Sequence, residues 1–149
     1  NVVVHADLNC LSVLQFAVEV LKIRHVIVCG HYGCGGVRAA WQDDRMGLVD
    51  NWLRHVQDVA QKHRESLDQA GSPDAQVNRL CELNVLEQVA NVCQTTVIQD
   101  AWTRGQAVTV HGWIYDLADG LIRDLAVDAS SPAEFAARYR GARNVYERR

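Results

Sequence analysis

Val26-Ile27-Val28-Cys29-Gly30-His31-Tyr32-Gly33-Cys34-Gly35-Gly36 is the stretch on which the reading of this chain turns. A β-branched apolar run stops at a glycine, and a histidine and a cysteine follow three residues apart among further glycines. In open parallel sheets, ligands bind just beyond the carboxyl ends of the strands, which is where His31 and Cys34 fall. An imidazole and a thiolate together suit Zn²⁺, a borderline-soft ion that prefers tetrahedral nitrogen and sulfur ligands. The glycines let the backbone turn tightly and approach a small ligand. Amides after Cys34, at the start of the next helix, can donate to an anion held near the metal. Two other readings stay open at this point. In one, His31 caps a turn and Cys34 is simply buried. In the other, the glycines cradle a phosphate, against which stand the lack of a following G-K-[ST] and of the G-x-G-x-x-G spacing.

Outward from this stretch the chain alternates strands and helices. Residues 2–4 read as a short strand or strand end. Asp7 or Asn9 can cap a helix with Leu8, Leu11, Leu14, Val18 and Leu21 along one face. Strand, helix, then a continuously apolar strand over residues 26–29 is the pattern of a parallel βαβ unit buried on both faces. Residues 37–41 suit a short helix, Asp43-Asp44-Arg45 a polar turn, and residues 48 to about 67 a longer helix. Ala70-Gly71-Ser72-Pro73 breaks the chain, helix resumes from Asp74, and Thr95-Thr96 interrupts it before a further helix that Gly105 ends. Residues 107–115 read as a strand, Asp119-Gly120 as a hairpin-type turn, and residues 121–127 as the returning partner. Ser130-Ser131-Pro132 opens a C-terminal helix, with serine at the cap and proline in the first turn. The expectation is one α/β domain over residues 1–149, a mostly parallel sheet flanked by helices.

Composition excludes several classes. The chain has 149 residues, enough for one domain with a real core. Its net charge of −3 gives no reason to expect nucleic acid or an anionic membrane as partner. No apolar run approaches the ~20 residues that span a bilayer, and no basic-then-apolar signal segment opens the chain. The five cysteines, an odd number without the spacing of a disulfide framework, fit a reducing cytoplasm. The chain opens Asn1-Val2-Val3-Val4-His5, with no initiator methionine and a strand already under way. That start reads as the continuation of an element begun upstream.

The segment His31-Tyr32-Gly33-Cys34-Gly35-Gly36, with the strand before it and Asp7-Leu8-Asn9-Cys10-Leu11-Ser12 further back, resembles the β-class carbonic anhydrases, the bacterial branch in particular. The likeness continues through Asn51-Trp52-Leu53, Leu80-Cys81-Glu82-Leu83-Asn84-Val85, Gln88-Val89, His111-Gly112-Trp113-Ile114-Tyr115 and Asp119-Gly120-Leu121. The resemblance implies reversible hydration of CO₂ to bicarbonate. It implies one zinc held by two cysteines and a histidine, where His31 matches the histidine and Cys34 the second cysteine. Water, or an aspartate in a closed form, takes the fourth position. Zinc lowers the pKa of that water, so that hydroxide attacks CO₂ near neutral pH. Gly35 matches the position whose amide donates to the bound anion. Tyr115 matches a tyrosine that, in one branch, helps form an inhibitory bicarbonate site with a tryptophan and an arginine from early in the chain. The implied partner is a second copy, in a homodimer often paired into tetramers, with active-site walls shared between chains.

The departure from the pattern matters equally. The first zinc cysteine of the family lies in a C-x-D-x-R segment, well before the region where this chain starts. Cys10, Cys29, Cys81 and Cys93 are not followed by that pattern. Three explanations follow, in order of preference: a part of a longer enzyme, a metal-poor truncation, or an altered site completed by His5, His111 or another cysteine. The reading is a cytoplasmic zinc carbonic anhydrase without its N-terminal segment. The alternatives are a non-catalytic zinc-binding or assembly module of the same fold and, from another class, a phosphate-binding protein, for which no basic residue is poised over the glycine loop. Cys10, Cys81 and Cys93 read as buried small hydrophobes, Cys29 as packed within its strand, and His55 and His63 as solvated on a helix face. His5 and His25 have no partner nearby in sequence, and the four tryptophans suit core or interface packing.

Overall fold

The computed structural model describes residues 2–147. In chain order it runs α1 (Leu8–Gln15), a π-helical segment (Phe16–Val20), β1 (His25–His31), α2 (Gly35–Gln42), α3 (Val49–Lys62) and α4 (Arg64–Asp68). There follow α5 (Pro73–Gln94), α6 (Thr96–Thr103), β2 (Thr109–Asp116), β3 (Leu121–Asp124) and α7 (Pro132–Glu147). The strands form one three-stranded sheet in the order β1-β2-β3. β1 and β2 are parallel, with His25 opposite Thr109 and His31 opposite Tyr115. β3 returns antiparallel to β2, with Ile122 opposite Tyr115. The sheet is thus small and mixed, with helices against it.

Local chemistry sets the element boundaries. Asp7 caps α1 by accepting from the Asn9 and Cys10 amides. Ser72 caps α5 by accepting from the Ala75 amide, and Pro73 occupies the first turn, where its missing N–H costs nothing. Thr95 ends α5 and caps α6 through the Ile98 amide. The Ser131 hydroxyl accepts from the Glu134 amide at the start of α7.

The 22-residue α5 is the central element. Leu80, Leu83, Leu86 and Val89 on α5, Val110 and Ile114 on β2, Val56 on α3 and Ile98 on α6 are all buried in one core. α5 lies so close to the sheet that side chains are excluded at its two crossing points. A Cβ on Gly30 would sit 2.5 Å from Val85 Cγ2, and one on Gly112 would overlap Val127 and Val89.

Three expectations change. Residues 2–4 join no strand ladder. Instead the Val3 amide donates to Gln88 Oε1 at 2.8 Å, and Asn91 Nδ2 donates to the Val3 carbonyl at 3.0 Å. Side chains of α5 thus satisfy the backbone that a neighbouring strand would otherwise pair; Asn1 lies outside the described residues. Nor is β1 buried on both faces: α5 covers one, while His25, Ile27 and Cys29 alternate on an exposed face, Ile27 at 49%. A short apolar run does not by itself distinguish a doubly buried strand from a half-buried one. Cys29 is accordingly exposed rather than packed. Third, the helix expected over 48–67 breaks at His63, whose φ of −113° and ψ of 23° separate α3 from α4. The break turns His63 inward, 3% exposed, onto Glu87 at 2.7 Å. His63 is a core histidine, not a solvated one. Among the described residues no helix is long and apolar enough to cross a membrane.

Candidate metal centre

β1 delivers His31 to the carboxyl edge of the sheet, beside Tyr115 of β2. Pairing continues one residue further, the Tyr32 amide donating to the Tyr115 carbonyl at 3.0 Å. Gly33 then adopts a left-handed φ of +67°, and its amide donates to Asn78 Oδ1 at 3.2 Å. Cys34 follows as the N-cap of α2 in extended geometry, and its carbonyl accepts the first helical bond, from the Arg38 amide at 2.9 Å. The Cys34 side chain makes no capping hydrogen bond, so the sulfur is not spent on the helix. The opening amides of α2, beginning with Gly35, have no intrahelical acceptor and carry the positive end of the helix dipole.

His31 is oriented by its own loop. Its Nδ1 lies 3.0 Å from the Tyr32 carbonyl, which can only accept, so Nδ1 carries the proton and Nε2 keeps its lone pair. A ligating histidine is ordinarily fixed this way, its second nitrogen donating to a carbonyl or carboxylate. His31 and Cys34 are both half-buried. An oriented imidazole and a sulfur free of hydrogen-bond duty are donors that zinc accepts.

Successive turns of α5 hold the loop from below. Asn78, Cys81, Glu82 and Val85 share one face of that helix at spacings of three and four. Asn78 takes the Gly33 amide, and Glu82 Oε1 accepts from the Tyr32 hydroxyl at 2.5 Å. Burial, followed by that hydrogen bond and the Glu82 charge, pushes the Tyr32 phenol well above its ordinary value, so it remains a neutral donor. Cys81 lies against the Cys34 backbone, and burial pushes its thiol up to about 11. A cleft of about 630 Å³ opens beside Tyr32 and Glu82, bounded opposite by Arg123 and by Arg138 and Tyr146 of α7. Arg38, the nearest basic residue of α2 in sequence, pairs instead with Asp74 at 3.0 Å, which argues against a phosphate cradle.

The remaining candidates do not converge on this loop. His5 Nε2 is engaged with the Asn91 carbonyl at 2.8 Å. His111 stands opposite Ile27, nearer the other end of the strands, and contacts His25. Cys10 belongs to α1, and Cys93 is sealed in the core, where burial pushes its thiol up to about 12. Among the described residues no three His, Cys, Asp or Glu side chains gather as a metal site. Of the altered-site candidates Cys81 alone among the described residues is placed beside the loop, against Cys34, and the loop itself offers one histidine and one cysteine. Sequence reasoning missed Asn78 and Glu82. No signal in the sequence singled them out, because α5 carries polar residues along its whole length, Gln76, Arg79, Asn84, Glu87, Gln88 and Asn91 among them.

The carbonic anhydrase family profile matches residues 1–122. The chain belongs to the β-carbonic anhydrase family. It is 43% identical over 128 residues to a carbonic anhydrase of Emericella nidulans, a match that covers 86% of this chain and 56% of that protein. The solved Coccomyxa β-carbonic anhydrase in complex with acetazolamide superposes with a TM-score of 0.85 at 38% identity, covering 91% of this chain and 62% of that one. A structure of tetrameric β-carbonic anhydrases from the filamentous ascomycete Sordaria macrospora gives a TM-score of 0.79 at 34% identity, covering 86% of this chain and 65% of that one. These likenesses do not single out the bacterial branch that the motifs suggested. The chain spans between about half and two thirds of the length of these family members.

Proposed function

We propose that this chain carries the greater part of a zinc-dependent carbonic anhydrase, which interconverts CO₂ and bicarbonate with release of a proton. The observation that carries the reading is the loop after β1: His31, its Nδ1 bound to the Tyr32 carbonyl, and Cys34, its sulfur free at the α2 N-cap, on a fold shared with β-carbonic anhydrases. His31 Nε2 and Cys34 Sγ hold the metal. Zinc, when bound, supplies the Lewis acidity that makes hydroxide available near neutral pH. The Gly35 amide, at the positive end of α2, donates to the anion formed from CO₂. Tyr32, tied to Glu82, keeps the loop from collapsing onto the donors.

A C-x-D-x-R segment outside the present sequence supplies the first zinc cysteine and the Asp–Arg pair; the greater length of the relatives supports this. The working unit is a homodimer or a dimer of dimers. The tetrameric Sordaria relatives support that state, as do the exposed Leu8, Phe16 and Leu21. Tyr115, adjacent to His31 in the sheet, belongs to a bicarbonate-responsive site. The five free cysteines fit a cytoplasmic setting.

Metal content and CO₂ hydration, measured by stopped flow on wild type and on Cys34→Ser, test the reading. The expected result is one zinc per wild-type chain, with metal and activity lost together in the variant. Zinc content unchanged by the substitution would overturn it.

A further inference from the structure

The opposite end of the sheet holds a second pair of imidazoles. His25 opens β1, and His111 stands opposite Ile27 on β2, so both project from the exposed face. Their ring centroids are 5.2 Å apart, and His25 Nδ1 lies 3.0 Å from His111 Nε2. Behind His111, its Nδ1 lies 3.1 Å from Asp128 Oδ2. The contact is close without the alignment of a hydrogen bond: His111 Nδ1 and Asp128 Oδ1 are both buried and unpartnered. The carboxylate favours the tautomer with the proton on His111 Nδ1, which leaves the Nε2 lone pair facing His25. A carboxylate behind one imidazole, with a second imidazole in front, is the arrangement that surrounds histidines bound to metals.

We propose that His25 Nδ1 and His111 Nε2 bind a borderline divalent cation, Zn²⁺ by preference, with Asp128 as the orienting carboxylate. Imidazole nitrogen selects this class of ion over Ca²⁺ or Mg²⁺, which take oxygen ligands. Two nitrogens at tetrahedral zinc stand about 3.3 Å apart for Zn–N of ~2.0–2.1 Å, within a few tenths of the separation already present. In the metal-free pair His25 Nδ1–H donates to His111 Nε2. On binding, His25 carries its proton on Nε2 instead, which its exposure to solvent permits. The bound cation strengthens the pull of Asp128 Oδ2 on the His111 Nδ1 proton, which relieves the unpartnered nitrogen. Water completes the coordination, consistent with no third protein ligand among the described residues. The site lies at the start of the seven-residue β1, about 20 Å from His31 at ~3.3 Å per residue, and does not depend on the loop reading.

The test is a Zn²⁺ titration of the ¹⁵N-labelled chain, reading the ring nitrogens of every histidine, with stoichiometry from equilibrium dialysis. The expected result is a second zinc equivalent that moves the His25 and His111 ring signals together and persists in Cys34→Ser. Its affinity should fall tenfold or more in His25→Ala, and ~10-fold or more in Asp128→Asn, the range for loss of an orienting carboxylate. The Asp128→Asn variant should also shift the His111 tautomer in the absence of metal. Unchanged zinc affinity in His25→Ala, or zinc-induced shifts confined to other imidazoles, would overturn the proposal. Far-UV circular dichroism of each variant checks that the sheet is intact.

Discussion

Glu87→Gln should cost this fold about 3 kcal/mol at neutral pH, because Glu87 is the hub of a buried network that joins three helices. Its Oε1 accepts from His63 at 2.7 Å and from the Tyr139 hydroxyl at 2.8 Å, and its Oε2 accepts from Lys62 at 2.7 Å. Those donors come from the end of α3, the α3–α4 break and α7, while Glu87 itself belongs to α5. Burial pushes the carboxyl up, but the hydrogen bonds from His63, Lys62 and Tyr139 outweigh it and hold the group down to about 2, against an ordinary 4.5. At ~1.4 kcal/mol for each tenfold change in acidity, that difference is worth about 3 kcal/mol of stability. A glutamine keeps one acceptor oxygen but turns an amide N–H toward the Lys62 ammonium, so that a donor faces a donor. Native stability is typically only about 5–15 kcal/mol, so the loss is large.

The pH dependence separates this cause from a packing defect. A carboxyl whose folded pKa is depressed contributes fully above its unfolded value. The contribution drains as pH falls from about 4.5 toward about 2. The gap between wild type and Glu87→Gln should therefore be full at pH 7 and roughly halved by pH 3. Urea unfolding followed by tryptophan fluorescence reads it. With slopes of ~1–3 kcal/mol per molar, the midpoint of the variant should fall by about 1–3 M at pH 7. A midpoint within ~0.2 M of wild type, below 1 kcal/mol at that slope, would refute the reasoning. So would a gap that stays constant down to pH 3.

Two further substitutions probe the platform under the loop. Gly112→Ala places a methyl group against Val127 and Val89, both core side chains without a flexible end to yield; a loss of ~1–3 kcal/mol is expected from chemical denaturation, and a neutral result would mean that α5 can move off the sheet. Tyr32→Phe removes the 2.5 Å bond to Glu82 and leaves that carboxylate short of a donor. A loss of ~1.5–3 kcal/mol, the range for hydrogen bonds to charged groups, should show as a lower melting temperature, and an unchanged value would detach Tyr32 from loop stability.

What the sequence made legible was whatever depends on near neighbours. The cap at Asp7, the Ser72-Pro73 start of α5, the Thr95 interruption and the Asp119-Gly120 reversal all sit where local chemistry puts them. The metal loop was legible for the same reason, since His31, Cys34 and the glycines between them lie within a few residues. What escaped was decided by residues far apart in the chain. His63 is drawn from a polar helix face by Glu87, 24 residues on, and His25 meets His111 86 residues on. Residues 2–4 join no ladder, and the Val3 backbone is bonded instead to Gln88 and Asn91, 85 and 88 residues on. Periodicity cannot weigh such competitors, because it carries no information about what stands opposite.

The two faces of α5 explain why the loop is preset rather than shaped by its metal. On one face Asn78 and Glu82 fix the loop backbone at Gly33 and the Tyr32 hydroxyl, and Cys81 packs against Cys34. On another, the buried Glu87 carboxylate locks the same helix to α3, the α3–α4 break and α7 through charge-assisted bonds. Every one of these contacts is satisfied by protein alone. The orientation of His31 is satisfied likewise, by the Tyr32 carbonyl. Binding a metal there need not first order the loop, so little of the binding energy is lost to conformational entropy. It follows that the loop anchors and the ligands fail differently. Replacing Cys34 removes a donor and leaves the fold standing, whereas replacing Glu82 or Tyr32 leaves the donors but frees the loop that aims them.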